Sequence, residues 1–294
     1  MRYRYTREGI VDRLPATSAS TTELARPVNI PPRPALLIAV QHEMNKEEPH
    51  LKKIARVINR DVAIAGNLLS IANSAMFNLG RHIETVEDAI TLIGLNNCNA
   101  LMTSLMMRRA LSHGKMMMPR FWDVSEKRSW GMMYVARLTH ISTPELAYNF
   151  GLFSDIGIPL MMASFPNYAQ TLNAANKMEE GGFIELENQC HRINHAVVGG
   201  MLAEHWSVDP AVVLAIKKHH THSIISDLTF SEKVRQLIAV FYLVDKAIQE
   251  HRHATSVEWQ EGGHQAREIL NLSDEEVEQI CVDLKVHFSS PLLS

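Results

Sequence analysis

From Leu36 onward the apolar residues of this chain recur at helical spacing almost without interruption, and no run of alternating β-branched residues bounded by turns breaks the pattern. The expected class is therefore all-α. In HIETVEDAITLIG, Val86, Ala89, Ile90 and Ile93 form one stripe, Thr85 and Asp88 have capping-box spacing, and Gly94 ends the helix. Thr143 before Pro144 and Asp209 before Pro210 each predict an N-cap followed by proline at the first helical position. Ser273 and Glu276 predict a last capping box. Breaks are expected around Gly114 in SHGKMMMP and in EEGG at 179–182. The first 34 residues end in the proline-rich NIPPRPAL and read as an extended arm.

Composition narrows this picture. A chain of 294 residues with 46% hydrophobic and 21% charged positions is ordinary for a globular protein with a sizeable core. A net charge of −3 gives no global reason to expect nucleic acid or anionic lipid as partner. The cysteines Cys98, Cys190 and Cys281 are far apart and odd in number, which argues against a disulfide framework or a thiolate metal site and fits a reducing cytoplasm. No single apolar run is expected to span a bilayer, and the N-terminus lacks the apolar core of a signal peptide. The clustered methionines read as gap-fillers between helices.

Polar islands stand out against this apolar background. They are Asp155 in NFGLFSDIGIPL, His195 in NHAVVGGMLAEHW, His219 and His220 in AVVLAIKKHHTH, and Asp245 in AVFYLVDKAI. After Pro210, Val212, Val213 and Ile216 mark the apolar face, so both histidines fall on or beside it, and Asp245 lies among Phe241, Val244 and Ile248. Imidazole nitrogens and carboxylate oxygens are the usual ligands of Zn, Mn or Fe, and carboxylates alone suit Mg. The alternative is a set of hydrogen-bonded groups stitching helices together, with His220 a cation favoured at a helix C-terminus. Arg108, Arg109, Lys217 and Lys218 read as solvated helix faces.

The stretch INRDVAIAGNLLSIANSAMFNLGRHIETVEDAITLIGL, residues 58–95, resembles the hallmark of the HDOD domain. Asp61, Leu68, Leu69, Ala72, Asn73, Ser74, Ala75, Phe77, Ile83, Ala89, Ile90 and Gly94 stand at the pattern's positions, with Val62 where proline is usual. The likeness continues through FWDVS, GLFSDIG, NHAVVGGMLAEHW, AIKKHH and LVDKAI. It implies an arm at 1–29, an N-terminal helical subdomain at 30–113, a degenerate HD-like subdomain at 114–250 and a helical extension at 251–294. Asn73 and Ser74 are expected to bond backbone at a helix end, and Phe77 to fill the core, with contact to a ligand as the alternative.

HDOD domains are similar to the HD and HD-GYP metal-dependent phosphohydrolases. By that comparison Ser154 stands at the histidine of the His-Asp doublet, Asp155 is retained and Ile158 replaces lysine. Near FWDVSEKRS the early histidine is absent, leaving Val124 or a neighbour. A serine hydroxyl is a poor ligand for a divalent cation, and the lost lysine removes a charge that could face a phosphoryl transition state. The resemblance thus implies a non-catalytic, bacterial-type signalling module working through protein contacts, with no cofactor, nucleic acid or membrane expected. In such a pocket Asp155 is expected to accept hydrogen bonds from His195 or Ser154. The alternative is a phosphohydrolase acting on phosphomonoesters, phosphodiesters or cyclic dinucleotides. Its divalent Mn, Fe, Mg or Zn would be held by Asp155, His195, His219, His220 and Asp245.

Overall fold

In the computed structural model the described residues are 28–73, 80, 82–111, 118–140, 143–178 and 182–289. The hallmark residues Ser74, Ala75 and Phe77, the break at Gly114 with the 113/114 boundary, and positions 179–181 of EEGG lie outside them. Among the described residues every regular element is helical.

The N-terminal part comprises α1 (Ala35–Met44), α2 (Leu51–Ile58), α3 (Val62–Ala72), α4 (Val86–Ile93) and α5 (Leu95–Leu111). Its polar signals act locally. The Asp61 carboxylate accepts from the Ile64 N–H at 3.2 Å and so caps α3, with Val62 exposed at the first helical position. Thr85 caps α4, its hydroxyl accepting from the Asp88 N–H at 3.0 Å and donating to the Asp88 carboxylate at 2.7 Å. Gly94, at φ 88°, ends that helix in a conformation other residues resist. Asn73 does what its position predicts. Its amide donates to the Leu69 and Ile83 carbonyls at 2.9 and 2.8 Å, and its oxygen accepts from the Ile83 N–H at 2.8 Å. One side chain thereby ties the end of α3 to Ile83, shortly before α4.

The second part begins with α6 (Pro119–Thr139), which lies along α7 (Pro144–Phe153). There follow α8 (Gly157–Ser164), α9 (Tyr168–Ala175), α10 (Gly182–His191), α11 (His195–His205) and α12 (Pro210–Lys218). A 3₁₀ turn at His222–Ser226 leads to α13 (Glu232–His251), on which α14 (Val257–Leu270) and α15 (Asp274–Ser289) pack. The C-terminal extension is therefore part of the same helical stack. Asp209 caps α12 through the Ala211 N–H at 2.8 Å, and Ser273 and Glu276 exchange hydrogen bonds at 3.2 and 2.7 Å. Thr143 precedes Pro144 as expected, but its hydroxyl makes no capping bond.

The lead-in is docked where the structure describes it: the Trp206 indole N–H donates to the Pro31 carbonyl at 3.0 Å. Methionines 102, 106, 107, 132, 133 and 161 are buried, as gap-fillers should be. One expectation needs correction. Pro144–Ser164 has the length and apolarity to cross a membrane, but it is two helices broken at the Asp155 turn, and 67% of its apolar 18-residue window is buried in the fold. Its hydropathy is that of a core.

Candidate functional site

The centre of the second part is held by close backbone approaches. A Cβ on Gly157 would stand 2.0 Å from the His195 carbonyl oxygen, and one on Gly151 would stand 2.8 Å from the Ser129 Cα. Only glycine lets α8 meet α11 and α7 meet α6 at these distances. Gly157 thus serves a helix crossing, and it brings the Asp155 turn against the first residue of α11. That residue is His195, whose predecessor Asn194 caps α11 through the Val197 N–H at 2.9 Å.

Three imidazoles and one carboxylate converge there. A ligand atom from each of Asp155, His195, His219 and His220 lies within 4.8 Å of the other three. His195 Nε2 is 3.1 Å from His220 Nε2 and 3.6 Å from Asp155 Oδ1, and His219 Nε2 is 3.4 Å from the same Oδ1. Each histidine is oriented through its other nitrogen. The Nδ1 of His195 faces Glu187 Oε2 at 2.8 Å, that of His219 faces the Ile216 carbonyl at 2.7 Å, and that of His220 faces Glu258 Oε1 at 2.7 Å. Carbonyl and carboxylate oxygens accept, so Nδ1 carries the proton in all three rings and the Nε2 lone pairs point inward.

Such an arrangement asks for a positive charge. Two inward lone pairs 3.1 Å apart repel unless a proton or a metal lies between them, and His219 Nε2 is buried with no hydrogen-bond partner among the described residues. Four donors about 2.0–2.1 Å from a tetrahedral ion stand about 3.4 Å from one another. Three of the six separations, 3.1, 3.4 and 3.6 Å, lie close to that edge length, and all six are within 4.8 Å. The residues present therefore fit a single divalent transition ion. Three imidazoles favour Zn, Fe or Mn over Mg, which prefers oxygen.

Without an ion, electrostatics divides the histidines. Burial lowers the His195 ring, but Glu187 and Asp155 outweigh it and leave its pKa raised. Burial and the neighbouring His220 push His219 down to about 4, with Asp155 only partly opposing. Burial would raise the Asp155 carboxyl, yet the Arg128 guanidinium and both histidines hold it well below the usual carboxylate range.

The remaining expected residues sit differently. Asp245 is buried but outside the convergent set: its Oδ2 accepts from Ser256 Oγ at 2.6 Å and its Oδ1 lies 3.6 Å from Arg128 Nη2. Ser154 does not donate to Asp155 as expected. Its hydroxyl donates to the Gly151 carbonyl at 3.2 Å and accepts from Arg128 Nη1 at 3.3 Å. Nor does His195 make a hydrogen bond of ordinary length to Asp155. The Asp155 partner is Arg128, whose Nη1 donates to Oδ2 at 2.5 Å. Val124 plays no part in the cluster; on α6 it is Arg128, one turn further along, that reaches the centre. Ile158 packs against the apolar core.

Three contributors escaped the sequence reading: Arg128, Glu187 and Glu258. Glu187 is fully buried, with one oxygen serving His195 and the other accepting from the Tyr168 hydroxyl. Glu258 comes from α14, in the extension. Phe183 covers the cluster, its ring centroid 5.1 Å from His195 and 5.9 Å from His220.

The same helical arrangement occurs in solved bacterial structures. An HDOD domain protein from Geobacter sulfurreducens matches with TM-score 0.69 at 19% identity, covering 92% of this chain and 95% of that one. A protein of Shewanella amazonensis provisionally named a phosphohydrolase matches with TM-score 0.67 at 19% identity, covering 88% and 91%. One from Marinobacter aquaeolei, provisionally named a signal transduction protein, matches with TM-score 0.67 at 17% identity, covering 88% and 57%. A sequence model of the HDOD domain matches residues 30–222, and the chain belongs to that family. It is also 23% identical over 217 residues to an uncharacterized protein of Treponema pallidum, covering 72% of this chain and 42% of that one. The uncharacterized protein YuxH of Bacillus subtilis is 26% identical over 113 residues, covering 38% and 28%. The chain thus spans less than half the length of these two relatives. Asp245, Ser256 and Glu258 lie beyond the family match, although they support residues within it.

Proposed function

We propose that this chain is a regulatory signal-transduction module acting through protein contacts, and that its HD-like half holds one divalent transition metal without turning over a phosphoester. The observation that carries this reading is the donor count. Catalytic zinc-type centres combine three protein ligands with an open position for water, whereas closed centres use four. Asp155, His195, His219 and His220 supply four. A bound zinc ion would have its tetrahedron filled by protein, and its contribution would be to hold α7, α11 and α12 together and keep the histidines deprotonated at Nε2.

The protein's own groups favour the same reading. Ser154 spends its hydroxyl on backbone, and Asp245 is committed to Ser256. Ile158 brings no charge towards a phosphoryl group. A domain of this kind also occurs within longer chains, as in the Marinobacter structure, of which this chain covers 57%, and in the longer sequence relatives.

The test is metal analysis of protein purified without chelator, joined to assays on phosphomonoesters, phosphodiesters and cyclic dinucleotides with added Mn²⁺. About one ion per chain, lost in His195→Ala and His219→Ala, is expected, with no turnover. Turnover that disappears in Asp155→Ala would overturn the regulatory reading.

A further inference from the structure

Arg128 is a charge that the metal-holding reading leaves unused. It projects from α6 into the core at 4% exposure, with its guanidinium carbon 5.1 Å from the centroid of the Phe241 ring. Its Nη1 lies 2.5 Å from Asp155 Oδ2 and its Nη2 lies 3.6 Å from Asp245 Oδ1. Asp155 therefore faces two ways. Oδ1 looks towards His195 and His219, while Oδ2 looks towards the guanidinium.

A carboxylate has two oxygens and can hold a cation on each, so it can bridge the two ions of a two-metal centre, and a further carboxylate on the second ion would complete that side. Asp155 and Asp245 occupy these two positions, and the group between them is Arg128. We propose that Arg128 is a built-in cation standing where a second metal ion would sit, so that it neutralises Asp155 and Asp245 and limits the centre to one ion. This rests on the reading that the histidine side holds a metal. A guanidinium has no lone pair to give, does not deprotonate in a protein and cannot bind and acidify a water molecule. Arg128 would therefore supply the charge of a second ion without its chemistry. In this role it is a positioning residue, acting through Asp155.

The experiment is equilibrium dialysis of the full chain against Mn²⁺, with bound metal measured by mass spectrometry and paired ions by electron paramagnetic resonance. It compares wild type, Arg128→Lys, Arg128→Ala, Arg128→His and Arg128→His with Asp245→Asn. Wild type and Arg128→Lys are expected to take one ion. Arg128→Ala and Arg128→His should take one more than wild type, with spin coupling between the two, and the added Asp245→Asn should remove the extra ion. Folded Arg128→Ala and Arg128→His proteins that bind no more metal than wild type would overturn the proposal.

The two ideas fail separately. Wild type with no ion and Arg128→His with one that depends on Asp245 would sink the histidine-metal reading and keep the role of Arg128. One ion in both proteins would do the reverse. If the Arg128 variants do not fold in chelator, the proposal expects Mn²⁺ beyond one equivalent to restore their circular dichroism and melting transition. Failure of Mn²⁺ to do so also counts against it.

Discussion

The two parts of the molecule handle polar groups in the core in opposite ways. In α1 to α5 the informative polar side chains bond to nearby backbone: Asp61 and Thr85 cap helices, and Asn73 ties the end of α3 to Ile83, making three hydrogen bonds in all. In α6 to α14 the buried polar side chains bond mainly to one another. Arg128, Asp155, Glu187, His195, His219, His220, Asp245 and Glu258 form one connected set of charged and titratable groups. Backbone-directed bonds cost little to keep and specify shape. Mutually satisfied charges must be withdrawn from water together, so a fold that retains them carries a cost that well-packed apolar residues would avoid. The contrast marks the second part as the one that carries the candidate site.

The sharpest way to break the comparison is to remove one partner from the charged set. Arg128→Leu leaves Asp155 and Asp245 buried without their cation and should lower stability by about 3–5 kcal/mol, read from urea unfolding in chelator. Adding Asp155→Asn and Asp245→Asn should return much of that loss, because the uncompensated charges go with it. A loss that the neutral substitutions do not reduce would mean that Arg128 acts by packing and not by charge.

Next in size is a pH effect in metal-free protein. Between pH 6.5 and about 4 the unfolded chain takes a proton at position 219 that the folded chain refuses, so stability falls on acidification. The span of the shift corresponds to at most about 3 kcal/mol. His195 has the opposite sign. Its raised pKa means that the folded chain keeps a proton that the unfolded chain releases above pH 6.5, so this contribution is lost as pH rises through the folded value. Urea midpoints should therefore peak near pH 6.5. His219→Gln should flatten the acid limb and His195→Gln the alkaline one. A profile unaltered by both substitutions would remove the electrostatic account of the cluster.

What was legible in the sequence follows the same division. Caps and stripes are local, so Thr85, Asp209, Ser273 and the run Val86, Ala89, Ile90, Ile93 could be read directly. The aspartates and histidines of the cluster showed as polar residues on apolar faces. Arg128 did not, because it ends the charged run Glu126-Lys127-Arg128, which reads as a solvated helix face. The available signal was its neighbours Ser125, Ser129 and Gly131, small residues that are all buried along α6. Glu187 was concealed in the same way by IELENQ, and Glu258 by lying outside the recognisable stretch. Their partners are 8 and 38 residues away, and no short-range pattern encodes the second of those pairings.

In the N-terminal part, Asn73→Ala is expected to cost about 1–3 kcal/mol, since it strands the Ile83 N–H and carbonyl that the amide had paired. Here no second substitution should rescue the protein, because the lost partners are backbone. That lack of rescue, set beside the recovery expected for Arg128→Leu, separates shape-giving polar groups from a mutually neutralised set.

The smallest effect is expected where a charge pair sits at the surface. Arg109 on α5 pairs with Asp61, its side chain 58% exposed. Solvent and salt screen such a pair, so Arg109→Ala should cost at most about 1 kcal/mol, and less still in 0.5 M salt. Asp61 keeps its bond to the Ile64 N–H, so the α3 cap survives the substitution. Asp61→Ala should cost more than Arg109→Ala by roughly the ~1 kcal/mol worth of a helix cap, and that excess should not respond to salt. Thermal melts of the two variants at low and high salt measure both quantities. If the costs are equal and equally salt-sensitive, Asp61 serves the ion pair and not the helix, and the N-terminal part loses one of the backbone-directed groups on which the contrast depends.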